Sequence, residues 1–171
     1  NAPANITAGG LRAGYNATRF DEFNNLVTTG PQTVYLYSNS TGVNRKFYSA
    51  SSGGTVITQV TISGGASSAN FWYYDEKTSY SGVSGSEVDA EWTITTSDNS
   101  SVPDGTDNID DATDLIKVTP ALLKDFLVYG ISNPHDLGTA QSVTVEARDT
   151  YNNRKTNYAG KVTFSNTDFD A

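Results

Sequence analysis

Apolar residues recur at every second position along this 171-residue chain, in short runs broken by Gly, Ser, Asn and Asp. Helical spacing is nearly absent. The pattern predicts strands over 15–23, 33–39, 46–51, 55–62, 69–75, 87–96, 115–119, 122–131, 142–149 and 161–165. In 33–39, Val34, Leu36 and Ser38 share one face, and Tyr35 and Tyr37 share the other. In 87–96, Val88, Ala90, Trp92 and Ile94 face one way and Glu87, Asp89 and Glu91 the other. Such alternation marks strands with one face in a core and one in water. Many short strands at a spacing of roughly ten residues predict an antiparallel sandwich. Gly53-Gly54 and Gly64-Gly65 read as hairpin turns rather than as phosphate-cradling loops.

An internal repeat organises the chain. Asp21-Glu22-Phe23-Asn24-Asn25 recurs as Asp149-Thr150-Tyr151-Asn152-Asn153, an offset of 128 residues. At the same offset, Gly10 meets Gly138, Thr28 meets Thr156, Val34 meets Val162 and Leu36 meets Phe164. Each copy reads as a strand, an Asp-x-aromatic-Asn-Asn turn, a polar connection and a strand. Asn tolerates left-handed backbone, and Asp can accept hydrogen bonds from amides just downstream of it. The strand 122–131 looks like the first strand of the second copy, whose counterpart in the first copy would precede residue 1. Two explanations stay open. The chain is a window on a longer tandem array, or an open module in one copy takes a strand from its neighbour by main-chain pairing. An uncovered sheet edge invites such addition, and a head-to-tail contact that does not close gives a filament.

The residues from Tyr15 through Asp21-x-Phe-Asn-Asn25, then Gln32 to Leu36, Gly53 to Thr58 and Ala66 to Tyr74 resemble bacterial immunoglobulin-like repeats. Gly138 to Asp149, Tyr151-Asn152-Asn153 and Gly160 to Ser165 look like the opening of the same repeat. The resemblance implies β-sandwich modules of large surface or secreted proteins, where they act as spacers, adhesive stalks or fibres. A period of 128 residues is long for that family, so 82–120 is expected to hold an insertion or an interdomain segment. The expected division is a sandwich over 1–97 lacking its first strand, an acidic linker over 98–119, and a partial second module over 120–171.

Charge and composition narrow the function. Eleven Lys and Arg against nineteen Asp and Glu leave a net charge of −8, which disfavours nucleic acid and anionic membrane surfaces. No apolar run approaches the roughly 20 residues of a spanning helix. There is no Cys and no Met, hence no disulfide, no thiol nucleophile and no Cys–zinc site. A Met-free chain opening Asn1-Ala2-Pro3 reads as processed or excised, and no signal peptide is visible. A Cys-free, acidic chain rich in Ser, Thr, Asn and Gly fits an exported, extracellular or cell-surface protein.

Candidate chemistry is sparse. The stretch 98–114 carries six Asp and no Lys or Arg. Asp104, Asp107, Asp110, Asp111 and Asp114 are candidate ligands for Ca²⁺, a hard cation that takes six to eight oxygens; such an ion between modules would stiffen their junction. The spacing is not that of an EF-hand loop, and a solvated acidic loop is the alternative. In Phe71-Trp72-Tyr73-Tyr74, period 2 puts Trp72 and Tyr74 on one face. One pair of these aromatics belongs in the core, and Trp72 with Tyr74 is the candidate glycan contact. Asn5, Asn16, Asn39 and Asn99 head sequons and are candidate glycosylation sites. His135, the single His, sits in an Asn-Pro-His-Asp loop with no nucleophile elbow near any Ser. Asp75-Glu76 and Asp110-Asp111 pair carboxylates without any sign of a cleft.

The expected protein is therefore an all-β set of immunoglobulin-like antiparallel sandwich modules, one nearly complete and one partial, and not an enzyme. It serves as a subunit or segment of an extracellular filament, fibre or adhesive stalk. Leu122, Leu123, Phe126, Leu127, Val128, Tyr129 and Ile131 form the intermodule or intersubunit strand. Its partners are copies of itself in head-to-tail array or adjacent repeats of a longer chain, with glycans as further candidates and neither nucleic acid nor membrane insertion. The alternative is a carbohydrate- or receptor-binding sandwich module of an adhesin.

Overall fold

A computed structural model of the chain describes residues 5–81, 88–132 and 138–165. Thirteen strands follow one another without a helix among the described residues: β1 (Asn5–Thr7), β2 (Ala13–Thr18), β3 (Gln32–Ser38), β4 (Lys46–Tyr48), β5 (Val56–Ile57), β6 (Gln59–Ile62), β7 (Ser68–Tyr74), β8 (Tyr80–Ser81), β9 (Val88–Asp89), β10 (Trp92–Ser97), β11 (Ala112–Thr119), β12 (Leu123–Tyr129) and β13 (Thr144–Asp149). One sheet has the order β1-β11-β10-β3-β6 and faces a second of order β2-β7-β4-β5. Two ribbons, β8-β9 and β12-β13, stand apart. The fold is an all-β sandwich, and all its pairings are antiparallel except β1 with β11, which is parallel.

The two-residue period places the core. Ala13, Tyr15 and Ala17 of β2, Phe71 and Tyr73 of β7, and Phe47 of β4 point inward from one sheet. Ile6, Leu36, Ile94, Ile116 and Val118 meet them from the other. Tyr15 stacks on Phe71 at 5.3 Å between centroids, and Phe47 contacts Phe71 edge-on at 5.8 Å. Each fully buried aromatic or aliphatic side chain of this kind stabilises by about 1.5–3 kcal/mol. Burial also raises the pKa of the Tyr15 and Tyr73 hydroxyls well above the ordinary value, with the charges of Asp114 and Asp75 adding to it respectively. Ser38 hydrogen-bonds Tyr73 from the inward side of β3, as its alternation predicts.

Several expectations change. Residues 98–119 do not form a linker: 98–111 is the loop of the β10-β11 hairpin, and β11 lies inside the five-stranded sheet, flanked by β1 and β10. Ile116 and Val118 are completely buried while Leu115 faces out, so the strand obeys the alternation although it opens with the exposed run Ala112-Thr113-Asp114. A short strand that the sequence pattern did not predict, β1, is anchored by buried Ile6; one apolar residue in three carries no readable period. The run 55–62 splits into β5 and β6, which join different sheets. The run 87–96 breaks at Ala90 and Glu91, leaving Val88 61% exposed. Residues 161–165 carry no strand. The expectations placed on His135 and on 82–87 fall outside the described residues.

Strand directions give the sandwich two poles. Thr18 lies opposite Ser68 and Gln32 opposite Ile62. That pole holds the segment 19–31, the turn 63–67 and the acidic loop 98–111. Ala13 lies opposite Tyr73 at the other pole, where β11 ends at Thr119 and the chain passes to β12.

Candidate functional site

The two copies of the Asp-x-aromatic-Asn-Asn motif fold identically. Asp21 Oδ1 accepts from the Phe23 amide at 2.9 Å and the Asn25 amide at 2.8 Å, and Oδ2 accepts from Asn25 Nδ2 at 3.0 Å. Asp149 Oδ1 accepts from the Tyr151 amide at 2.9 Å and the Asn153 amide at 2.8 Å, and Oδ2 accepts from Asn153 Nδ2 at 3.0 Å. Asn24 and Asn152 take the left-handed conformation with φ of 61° and 62°, which Asn adopts more readily than most residues. Backbone bonds match as well, from the Asp21 amide to the Asn25 carbonyl and from the Asp149 amide to the Asn153 carbonyl, each 2.9 Å. The sequence repeat is thus a repeat of a rigid, self-capped turn.

Their surroundings differ. At the first turn Asp21, Glu22, Asn24 and Asn25 are exposed, Phe23 is 74% exposed, and Phe20 and Leu26 beside it are 55% and 59% exposed. The hydrogen bonds from Asn25 and Phe23 hold the Asp21 carboxyl below the ordinary carboxylate range. The second turn is sunk into the far pole of the sandwich. Asp149 is wholly buried and Asn153 is 3% exposed. Asp149 Oδ2 accepts from the Ala121 amide at 2.9 Å, and Asn153 Nδ2 donates to the Glu76 carbonyl at 2.7 Å. Asn153 Oδ1 accepts from the Thr78 amide at 3.3 Å, and Lys155 Nζ donates to the Ala121 carbonyl at 2.7 Å. Tyr151 lies over Gly9, whose lack of a side chain leaves room for the ring. The pole therefore acts as a socket of main-chain groups with a glycine floor.

From this contact the chain runs as the β12-β13 ribbon. Phe126 and Val128 lie opposite Ala147 and Val145 and form its apolar face. Tyr158 meets Phe126 edge-on at 5.2 Å. The opposite face is mixed: Leu127 pairs with Glu146, and Asp125 makes a two-point contact with Arg148 at 2.8 and 3.1 Å, which holds the Asp125 carboxyl below its ordinary range. Leu122, Leu123, Phe126, Leu127, Val128, Tyr129 and Ile131 are all exposed, from 37% at Phe126 to 82% at Leu122. The repeat identifies which face ought to be covered. Val143 and Val145 correspond to Tyr15 and Ala17, which are each 8% exposed in the sandwich, whereas Val143 is 36% exposed. The ribbon repeats the inward face of β2 but has no facing sheet against it among the described residues. In the sandwich, β2 is an edge strand that pairs only with β7, so the edge where β12's counterpart would pair is open among the described residues.

The acidic loop lies at the pole of the exposed turn, away from the contact between the sandwich and the second copy. It draws together Asp98, Asp104 and Asp111, each offering a carboxylate oxygen within 4.8 Å of the others. Asp98 Oδ1 and Asp111 Oδ1 are shut off from solvent and accept no hydrogen bond. Asn99 Nδ2 and Ser97 Oγ donate to Asp104, and the Gly105 amide donates to Asp111. Three converging carboxylates with two spare buried oxygens suit a hard divalent cation chemically. Of the five candidate ligands, Asp104 and Asp111 belong to this cluster, while Asp107, Asp110 and Asp114 stand outside it. Asp98 is the member that the pattern of Asp spacing did not single out. A cavity of about 680 Å³ opens between this loop and the exposed turn, lined in part by Ala17, Arg19, Val34, Ile62 and Asp98.

Phe71 and Tyr73 are the core pair of the aromatic run; Trp72 and Tyr74 are half-buried on the outer face. Trp72 lies over Gly14, and Tyr74 donates to Glu76 at 2.8 Å and meets Tyr48 edge-on. Burial, then Glu76 and Tyr151, raise the pKa of the Tyr74 hydroxyl. Asn5, Asn16 and Asn39 are exposed. The Asn16, Asn39 and Asn99 amides donate to Asn70, Thr93 and Asp104 respectively. Asp75 is a buried structural acceptor for Ser40, Tyr73 and the Lys77 amide.

Comparison of the chain with protein-family models, with curated proteins and with solved structures finds no match.

Proposed function

We propose that this chain is a structural element of an extracellular filament, fibre or adhesive stalk, built from immunoglobulin-like sandwich modules standing in series. Its role is mechanical rather than catalytic. The observation that carries this reading is the β12-β13 ribbon, whose apolar face matches the buried face of the first sandwich and is covered only in part, by Tyr158. A two-stranded ribbon is marginal in water, and an exposed apolar face with open edges seeks a partner. In the proposed assembly, a neighbouring copy or adjacent module supplies the missing strands by main-chain pairing and covers Phe126 and Val128. A Cys- and Met-free, acidic, hydroxyl-rich surface suits an exposed fibre.

Purified chain at neutral pH is expected to form elongated assemblies, seen by electron microscopy and sedimentation. Phe126→Asp with Val128→Asp is expected to leave particles of single-chain mass, with the sandwich intact by Trp fluorescence. Unchanged assembly in that variant would refute completion of the ribbon by a neighbour.

The Asp98, Asp104 and Asp111 cluster has a place in this reading as a Ca²⁺ clamp that stiffens the pole carrying the exposed turn. Calcium at about a hundred times its dissociation constant adds about 2.7 kcal/mol, so the thermal midpoint should rise by about 5 °C or more. Asp104→Asn with Asp111→Asn should remove the rise. A wild-type midpoint indifferent to millimolar Ca²⁺ would exclude the clamp.

A further inference from the structure

We propose that the exposed turn 21–25 is a docking plug, and that its occupant is the socket pole of another sandwich module of this same construction. The chain contains its own template for the complex. Turn 149–153 has the same hydrogen bonds, the same left-handed Asn and the same aromatic position, and it is already seated. The seat is made of the Ala121 and Thr78 amides, the Glu76 carbonyl and the Gly9 floor. These are main-chain groups and a glycine, so they would recognise the turn's geometry in either copy. The three turn side chains that dock in the second copy have counterparts in the first: Asp21 for Asp149, Asn25 for Asn153, and Phe23 for Tyr151, while Lys155, which donates to the Ala121 carbonyl, is replaced by Val27. The first turn leaves these groups in water, together with the apolar surface of Phe20, Phe23 and Leu26. Plug and socket lie at opposite poles of one sandwich. Repeating the contact therefore propagates along a single direction and leaves no second interface to be built. The inference rests on the proposal that such modules stand in series and names the contact that would set their spacing and angle.

The test joins residues 1–128 of one copy to the N-terminus of a full chain. The 128-residue period is kept, and the inner turn 21–25 falls where turn 149–153 falls in the native chain. Hydrogen exchange of the peptide 20–26, read by mass spectrometry, reports the docking. The single chain should show one fast phase. The joined chain should show two equal populations, the inner one exchanging about tenfold or more slowly, as expected for two or three added hydrogen bonds. Asp21→Ala in the inner copy also changes that peptide's mass, so it can be followed separately, and it should restore fast exchange. Persistent slow exchange at 149–153 controls for folding. A single fast phase in the joined chain would overturn the proposal, and so would protection that survives the inner Asp21→Ala. Neither result depends on whether single chains form filaments, so the docking contact and the fibre reading can fail separately.

Discussion

Asp149→Ala is expected to destabilise the chain by about 3 kcal/mol or more, while Asp21→Ala at the matching position of the first copy leaves stability nearly unchanged. The two carboxylates make the same local bonds. Asp149 also accepts from the Ala121 amide at 2.9 Å, and it does so with no solvent exposure. Removing it leaves the buried Asn153 amide and the half-buried Ala121 and Tyr151 amides without their acceptor. Each buried unsatisfied group costs about 1–3 kcal/mol, and hydrogen bonds to a charged acceptor are worth about 1.5–3 kcal/mol. The Asn153 side chain, which bridges Asp149 to the Glu76 carbonyl, also loses its anchor. At the first turn, water replaces the lost acceptor. Denaturant unfolding followed by circular dichroism measures both variants, and the difference between them isolates the energy of docking from that of turn formation. Equal, small losses would mean that the seated turn contributes no more than the exposed one. Asp149→Asn keeps the Oδ1 acceptor and should fall between the two.

The sequence carries the fold well where one face of a strand is dry. Leu36, Phe71, Tyr73, Ile94, Ile116 and Val118 recur at every second position of their strands with outward-facing neighbours between them, and all sit in the core. It carries the repeat too, because the turn is built from side chains that bond their own backbone, so its geometry is local and survives in both copies. What it cannot carry is burial decided from outside the segment. Asp149 and Asp21 are chemically alike, and only the socket, assembled from Gly9, Glu76, Thr78 and Ala121, separates one from the other. These four are main-chain contributors spread over 113 positions, with no side-chain pattern to betray them. The acidic loop shows the same limit. A run of Asp announces negative charge, but which carboxylates converge depends on the β10-β11 hairpin, which brings Asp98 and Asp111 to the ends of paired strands. The predicted strand 115–119 starts three residues earlier, at Ala112, and lies inside the five-stranded sheet; Asp110, Asp111 and Asp114 make its opening read as a linker.

Gly9→Ala is expected to cost about 3 kcal/mol, and Gly53→Ala about 1 kcal/mol, although the two backbones are nearly the same. Gly9 has φ +66° and Gly53 φ +61°, so each substitution pays the left-handed penalty of about 1–2 kcal/mol for a residue with a Cβ. At Gly53 nothing lies within 4 Å of the new methyl group, whereas at Gly9 it would fall 1.9 Å from the Tyr151 hydroxyl oxygen and 2.1 Å from the ring carbon bearing it. The ring must leave. Tyr151 packs against the hydrophobic core, and its displacement loosens the turn that Asp149 and Asn153 hold. The excess over Gly53→Ala is therefore the cost of unseating Tyr151. A double-mutant cycle tests this attribution. In a Tyr151→Ala background, Gly9→Ala should shrink to the Gly53→Ala value, because the clash has no second party. If Gly9→Ala stays as costly without the ring, the glycine is required by its own backbone and the socket has no glycine floor.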